Sequence, residues 1–341
     1  MSGEYGITTF KKDLEKYVVE TLEKKPKENY VNILVLRELK SAARFTTDGT
    51  QANSATIRIG NTEETVGKLF GRKQVASDRR KAKALQRTLI TENMKKAVKD
   101  WNKNAADWNG CTMKVNEMCQ KCPECALFGS AASEESVSIT SRVMYDEAYT
   151  IRALSAIVEE FFQNAPGDDY TKEPTSAIRE PDFFKEGTLF PCVVTLKDAT
   201  IEEVMFFLNV TDRNSRYGAT GTRFGKVQNH ILGVYASHRE GPSSLEITRE
   251  IALKLAGIKA KQNGTKIEEE LKKVMYSDTL DTNEIKGLSI KVYEELSKKH
   301  RIKCNKVGEA EVSKVLSELT DDVVKEALIT QIGKIKTFVN A

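Results

Sequence analysis

Four cysteines fall within fifteen residues, Cys111, Cys119, Cys122 and Cys125, spaced Cys-x7-Cys-x2-Cys-x2-Cys, while Cys192 and Cys304 stand apart. Four thiolates satisfy a tetrahedral zinc ion and leave no open position for chemistry, so the spacing predicts a structural zinc site. A four-iron, four-sulfur cluster also uses Cys-x2-Cys-x2-Cys, and buried thiols are the plain third reading. The segment ADWNGCTMKVNEMCQKCPECALFG is too poor in apolar residues to fold alone. Metal binding would supply that deficit, on the order of 10 kcal/mol in small zinc modules. In a reducing compartment such clustering reads as metal binding. No signal-like start and no run of about eighteen apolar residues occurs, so an intracellular, cytoplasmic protein without a membrane span is expected.

The rest of the chain has enough apolar material, 40% of 341 residues, for a substantial core. VNILVLREL at 31–39 reads as a buried strand, and ATIRIG as a half-buried one with Ala55, Ile57 and Ile59 on one face. Residues 71–100 carry a helical pattern with Ser77 and Asp78 as expected caps. VSITSRVMYD is a strand with Val137, Ile139, Val143 and Tyr145 on one face. Residues 163–187 read as a polar excursion, and TLFPCVVTL as a second buried strand whose Pro191 marks a start or an edge. Thr200 with Glu203, and Ser243 with Glu246, sit at capping-box spacing before helices. KVQNHILGVYA is a last strand, and everything from Ser243 onward is expected to be helical.

This order predicts an α+β fold with a ferredoxin-like or RRM-like core sheet over residues 1–240 and a helical lobe over 241–341. The core would carry a basic helical insertion at 71–104, the cysteine insertion at 105–130 and the excursion at 163–187.

Net charge says little, because 53 Lys and Arg nearly cancel 49 Asp and Glu; distribution says more. Arg72, Lys73, Arg79, Arg80, Lys81, Lys83 and Arg87 place seven cations in sixteen residues against the single Asp78. Such a run neutralises successive phosphates, or it is a solvated helix face. In the loop from Arg213 to Lys226, Arg216, Arg223 and Lys226 flank Tyr217 and Phe224 among three glycines. Glycine lets a backbone approach phosphate, arginine grips it and an aromatic ring stacks on a base; the bland alternative is a connector whose rings pack inward. It is not a Walker loop, since Val227 stands where Ser or Thr would hold magnesium. Lys40, Arg44 and Arg58 form a third basic set.

Catalytic constellations are sparse: His230, His238 and His300 have no metal-ligand spacing, and no nucleophile elbow or dinucleotide fingerprint occurs. Asp48 in a polar loop is the single candidate for RNA cleavage, against ordinary turn chemistry before Gly49. No catalytic residue is assigned, and a non-enzyme is expected. A metal-dependent ribonuclease working through Asp48 and a zinc-ribbon DNA-binding module are the competing readings.

Four blocks in order, CQKCPECALFG, SRVMYDEAYTIR, EGTLFPCVVTLKDATIEEVMFFL and RYGATGTRFGKVQNHILG, span residues 119–233 and resemble the backbone subunit of the type I-D CRISPR interference (Cascade) complex. The resemblance implies a modified RRM-like core with zinc-binding and lid-like insertions. It also implies several copies stacking head to tail on a CRISPR RNA, beside other subunits, to present that guide to target DNA or RNA. The implied RNA contacts are Arg216, Tyr217, Arg223, Phe224 and Lys226, with Arg142, the 72–87 run and the Lys40 set behind them.

Overall fold

The protein is described by a computed structural model covering residues 5–47, 49–90, 111–114, 117–130, 138–163, 178–218 and 225–340. Strand β1, Tyr30–Leu39, is its axis: every residue after Tyr30 is buried. A continuous apolar run buries both faces, and here Ile33, Val35 and Leu39 enter one core while Leu34 and Leu36 enter another. β1 pairs antiparallel with β8 (Leu189–Lys197) on one side and β10 (Gly225–Ser237) on the other. Outside these lie β4 (Val143–Tyr145) and β11 (Cys304–Gly308), in the order β11-β10-β1-β8-β4, and β9 (Arg216–Tyr217) pairs with the start of β10.

Pro191 faces β1 opposite Leu36, in the part of β8 that β4, paired only with residues 194–196, does not reach. Its missing N–H therefore costs no ladder bond there.

On one face of the sheet pack α2 (Gly71–Leu89) and α5 (Ile201–Arg213). Both Thr200–Glu203 and Ser243–Glu246 close as reciprocal capping boxes, opening α5 and α6 (Ser244–Asn263) respectively. α6, α7 (Ile267–Met275) and α8 (Thr282–Lys299) cover the opposite face. A smaller sheet, β2 (Ser54–Ile59), β3 (Thr62–Leu69) and β5 (Ala148–Ala153), and an arm of β6 (Val158–Gln163) with β7 (Ile178–Phe184) complete the strands. The remaining helices are α1 (Ile7–Leu14), α3 (Pro123–Phe128), the one-turn α4 (Leu154–Ile157), α9 (Glu309–Glu318) and α10 (Asp321–Asn340).

The fold is thus mixed α+β with antiparallel sheets and a mainly helical C-terminal region. Four local expectations change. The C-terminal region is not wholly helical, because Cys304–Gly308 extends the main sheet beside β10. The excursion at 163–187 contains β7. Ser77 and Asp78 do not cap α2: the helix starts at Gly71, and both are buried inside it. The strand expected through VSITSRVMYD is confined to Val143–Tyr145. Val137, residues 91–110 of the two expected insertions, and Asp48 lie outside the described residues. Among the described residues no helix is long and apolar enough to cross a membrane.

Candidate metal centre and nucleic-acid interface

The four cysteines come together, with all their sulfurs within 4.8 Å of one another. Cys111 Sγ lies 3.5 Å from Cys125 Sγ and 3.9 Å from Cys122 Sγ. Tetrahedral ligands each about 2.3 Å from a zinc ion would sit ~3.8 Å apart, so the donor set fits one metal ion. Local structure places them: Cys122 is the N-cap of α3, its sulfur accepts from Cys125 N–H at 3.4 Å, and Pro123 supplies a first helical residue that needs no partner. Cys119 and Cys111 sulfurs likewise accept from the amides of Cys122 and Cys119, each at 3.3 Å. Gly129, with φ of +83°, ends α3; a Cβ there would come within 2.7 Å of Ser141 N. Hydrogen bonds from the other three thiols pull the Cys111 pKa down, while Cys111 pushes Cys119 and Cys125 up and burial raises Cys122. Four thiols this close ionise together only around a cation.

Charge around the quartet comes from α2. Lys83 Nζ donates to Cys111 Sγ at 3.1 Å and sits 2.5 Å from Glu124, whose carboxylate also takes Arg79. Glu124 is fully buried, and Arg79 continues to the Gly129 carbonyl at 2.6 Å. Burial alone would lower the Lys83 pKa, but Cys122 and Glu124 hold it above the ordinary lysine range. Arg79 and Lys83, expected at RNA, therefore face the cysteine module.

Tyr217 is likewise turned inward, fully buried, as the bland reading of its loop foresaw. Its hydroxyl donates to Asp78 Oδ1 at 2.6 Å and accepts from Arg37, whose guanidinium lies 4.4 Å from the ring centre. Asp78 also accepts from Tyr145 (2.8 Å) and Asn214 (2.6 Å), and Arg37 from β1 donates to Gln74 (3.1 Å) and Asn229 (2.6 Å). Burial works against the Arg37 charge, yet Tyr217, Cys192 and Asp78 keep it protonated. This network joins α2 to β1, β4, β9 and β10. Sequence reasoning passed over Arg37, although an arginine at a core-facing phase of a strand is itself a signal for a buried partner.

Arg142, expected as an RNA contact, instead binds Glu203, the Ala126 carbonyl (3.0 Å) and the Asp198 carbonyl (3.1 Å). Arg58 pairs with Glu63 at 2.8 Å on the β2–β3 hairpin. Arg44 is nearly buried, over the Phe183 ring at 4.6 Å. Arg223 and Phe224 lie outside the described residues.

Lys40, Arg72, Arg80, Arg216 and Lys226 are exposed, with Lys73 half-buried beside them. Backbone contacts draw their segments together: Lys40 N–H donates to the Lys226 carbonyl (2.7 Å), Lys226 N–H to Ser41 Oγ (2.8 Å), and Lys226 stands opposite Arg216. A Cβ on Gly225 would fall 2.1 Å from Ala43 Cβ, so only glycine permits that approach. Ser77 Oγ donates to the Arg216 carbonyl, and Lys73 Nζ to the Thr46 carbonyl at 2.6 Å, anchoring α2 to the same edge. Beside it Glu38 accepts from Lys40 (2.6 Å) and His230 (2.8 Å); burial opposes its ionisation, but these bonds lower its pKa.

Comparison of the sequence with known families matches the one described as Csc2 Crispr over residues 17–332. The chain belongs to the Csc2 CRISPR family. The crystal structure of Thermofilum pendens Csc2 has the same fold, with a TM-score of 0.62 and 17% identity over 96% of this chain and 95% of that one. A structure titled "CRISPR RNA-guided surveillance complex, pre-nicking" is similar at a TM-score of 0.47 and 12% identity, over 81% of this chain and 90% of that one. Among curated proteins none matches the sequence. In this Csc2-family chain the matched region takes in both the cysteine quartet and the cationic edge.

Proposed function

We propose that this chain is a CRISPR RNA-binding backbone subunit of a type I-D antiviral surveillance complex. It polymerises head to tail along the guide RNA, beside other subunits, and presents the guide to target DNA, with target RNA as a second substrate class. The observation that carries this is the cationic edge, where Lys40, Arg216 and Lys226 sit on segments joined through their backbones and Arg72 on a helix pinned beside them by Lys73 and Ser77. Such cations grip a sugar-phosphate strand without reading its bases, as a guide of variable sequence requires. The platform supports the same reading: β1, β4, β8 and β10 lie in the order β10-β1-β8-β4, with α2 after the first and α5 after the third. This order supports the ferredoxin-like, RRM-like reading of the core sheet.

The cysteine quartet is read as a mononuclear structural zinc site held by Cys111, Cys119, Cys122 and Cys125. A four-iron cluster carries its cysteines on the outside of a cube and would hold the sulfurs further apart than 4.8 Å. Bound zinc would fix the fold of the insertion. The role assigned to the chain, in the cytoplasm, includes no catalytic step.

The test is extraction and sizing of nucleic acid that co-purifies with the chain, alone and with its complex. Small RNA of defined length, with assemblies whose size follows that length, is the expected result. Discrete monomers or dimers on a duplex DNA site would favour the zinc-ribbon reading. Magnesium-dependent cutting lost in Asp48→Ala would favour the ribonuclease. A chain that stays solitary and ignores RNA at low ionic strength would end the proposal.

A further inference from the structure

A second concave surface lies at the other end of β1. A cavity of ≈ 700 Å³ opens between the N-terminal segment at 19–27, residues 138–144 at the β4 edge, the end of β8 and Phe338 of α10. Its walls are largely apolar, with Val19, Leu22, Pro26, Ile139 and Met144 joining Phe338. Its rim is cationic. The acids that line it are already engaged: Glu23 takes Lys27 at 2.6 Å, and Asp198 takes the amides of Lys27 (2.7 Å) and Asn29 (3.2 Å). Arg142 is spent on Glu203, and Lys197 lies over the Tyr30 ring at 5.5 Å. Lys24 and Lys25 are exposed and, among the described residues, have no acidic partner. An apolar pocket with surplus positive charge at its mouth is complementary to one kind of occupant, an acidic chain segment that carries an apolar anchor.

We propose that this cavity docks an acidic peptide segment of a partner protein, with an aliphatic or aromatic anchor on the Leu22–Met144 floor and carboxylates at Lys24 and Lys25. Nucleic acid fits it less well, because a base stacks on flat rings and Phe338 is the single aromatic side chain among the lining residues, the other apolar ones being aliphatic. The surface is independent of the cationic edge. Lys40 follows the far end of β1, whose ten residues at about 3.3 Å each separate the two by ~30 Å. A partner here would leave that edge free, so the docking stands or falls apart from the guide-RNA reading.

The test uses the full chain as purified and fluorescence anisotropy with a pool of labelled acidic hexapeptides bearing one central Leu, Ile, Met or Phe. Saturable binding is expected, weakened about tenfold by Lys24→Glu together with Lys25→Glu and similarly by Met144→Gln. The melting temperature and the RNA retained by the lysine variant should match the parent. Absence of saturation, or equal affinity in the lysine variant, would overturn the docking. Binding that emerges only after Glu134→Gln with Glu135→Gln would assign the cavity to the chain's own acidic stretch and overturn it too. So would an oligouridine probe that binds the parent and is lost with the same lysine changes.

Discussion

β1 and the cysteine module solve the same problem by opposite means. β1 and its neighbours bury both faces of a sheet among aliphatic and aromatic side chains, with Arg37, Asp78 and Tyr217 joined in a buried polar network. Around the cysteines, the buried cluster consists of three thiols with Ile90 and Ile332. Apolar burial worth roughly 25 cal/mol per Å² holds the sheet, whereas the described part of the module offers little apolar surface and sets in its place buried charge and four sulfurs that could hold a metal ion. α2 belongs to both regions: Ala82, Leu85 and Leu89 enter the sheet's core while Arg79 and Lys83 serve the module. A run of cations along a helix is therefore not by itself a sign of a solvent-facing surface.

The largest effect expected from this contrast is metal dependence confined to one region. Chelation, or Cys122→Ser, should release about one equivalent of metal and unfold the insertion, with on the order of 10 kcal/mol of local folding energy lost. Elemental analysis and hydrogen exchange read both; an insertion that stays protected without metal would erase the contrast. Next, Asp78→Ala leaves Arg37 charged and buried without its acid, and should cost about 3–5 kcal/mol in denaturant unfolding of the sheet. Retained stability would mean the network is not closed. Lys83→Met should lower metal affinity by about 10- to 100-fold in a competition titration and barely move the unfolding of the sheet. Smallest in stability terms, Arg216→Ala with Lys226→Ala should leave melting within about 0.5 kcal/mol of the parent. The pair should weaken RNA retention and flatten its salt dependence by about one unit of slope per cation.

What the sequence disclosed follows the same division. β1 and β8 are legible because runs such as VNILVLREL and LFPCVVTL have no polar face to spare, and both turn out buried on both sides. The two capping boxes are legible because their chemistry is local. The cysteine spacing foretold a quartet for the same reason. What sequence hid depends on partners far along the chain. Ser77 and Asp78 look like caps, yet Asp78 is held by Arg37, Tyr145, Asn214 and Tyr217. CNKVG at 304–308 lacks strand periodicity and is a strand because β10 offers it an edge. Charge counting put Arg79 and Lys83 on a surface, and the family resemblance put Arg142 at RNA, since nothing local reveals that Glu124 and Glu203 wait for them in the interior.

Glu203 gathers three threads at one carboxylate. It closes the cap of α5 through Thr200 N–H (2.9 Å), holds Arg142 at the head of β4, and accepts from Gln331 of α10 (3.0 Å). Helix start, sheet border and the last helix are thus knotted at a single point beneath the surface. Loosening of the C-terminal helix would be felt at the margin of the sheet without passing through the apolar core, giving the tail of the chain a direct purchase on its middle.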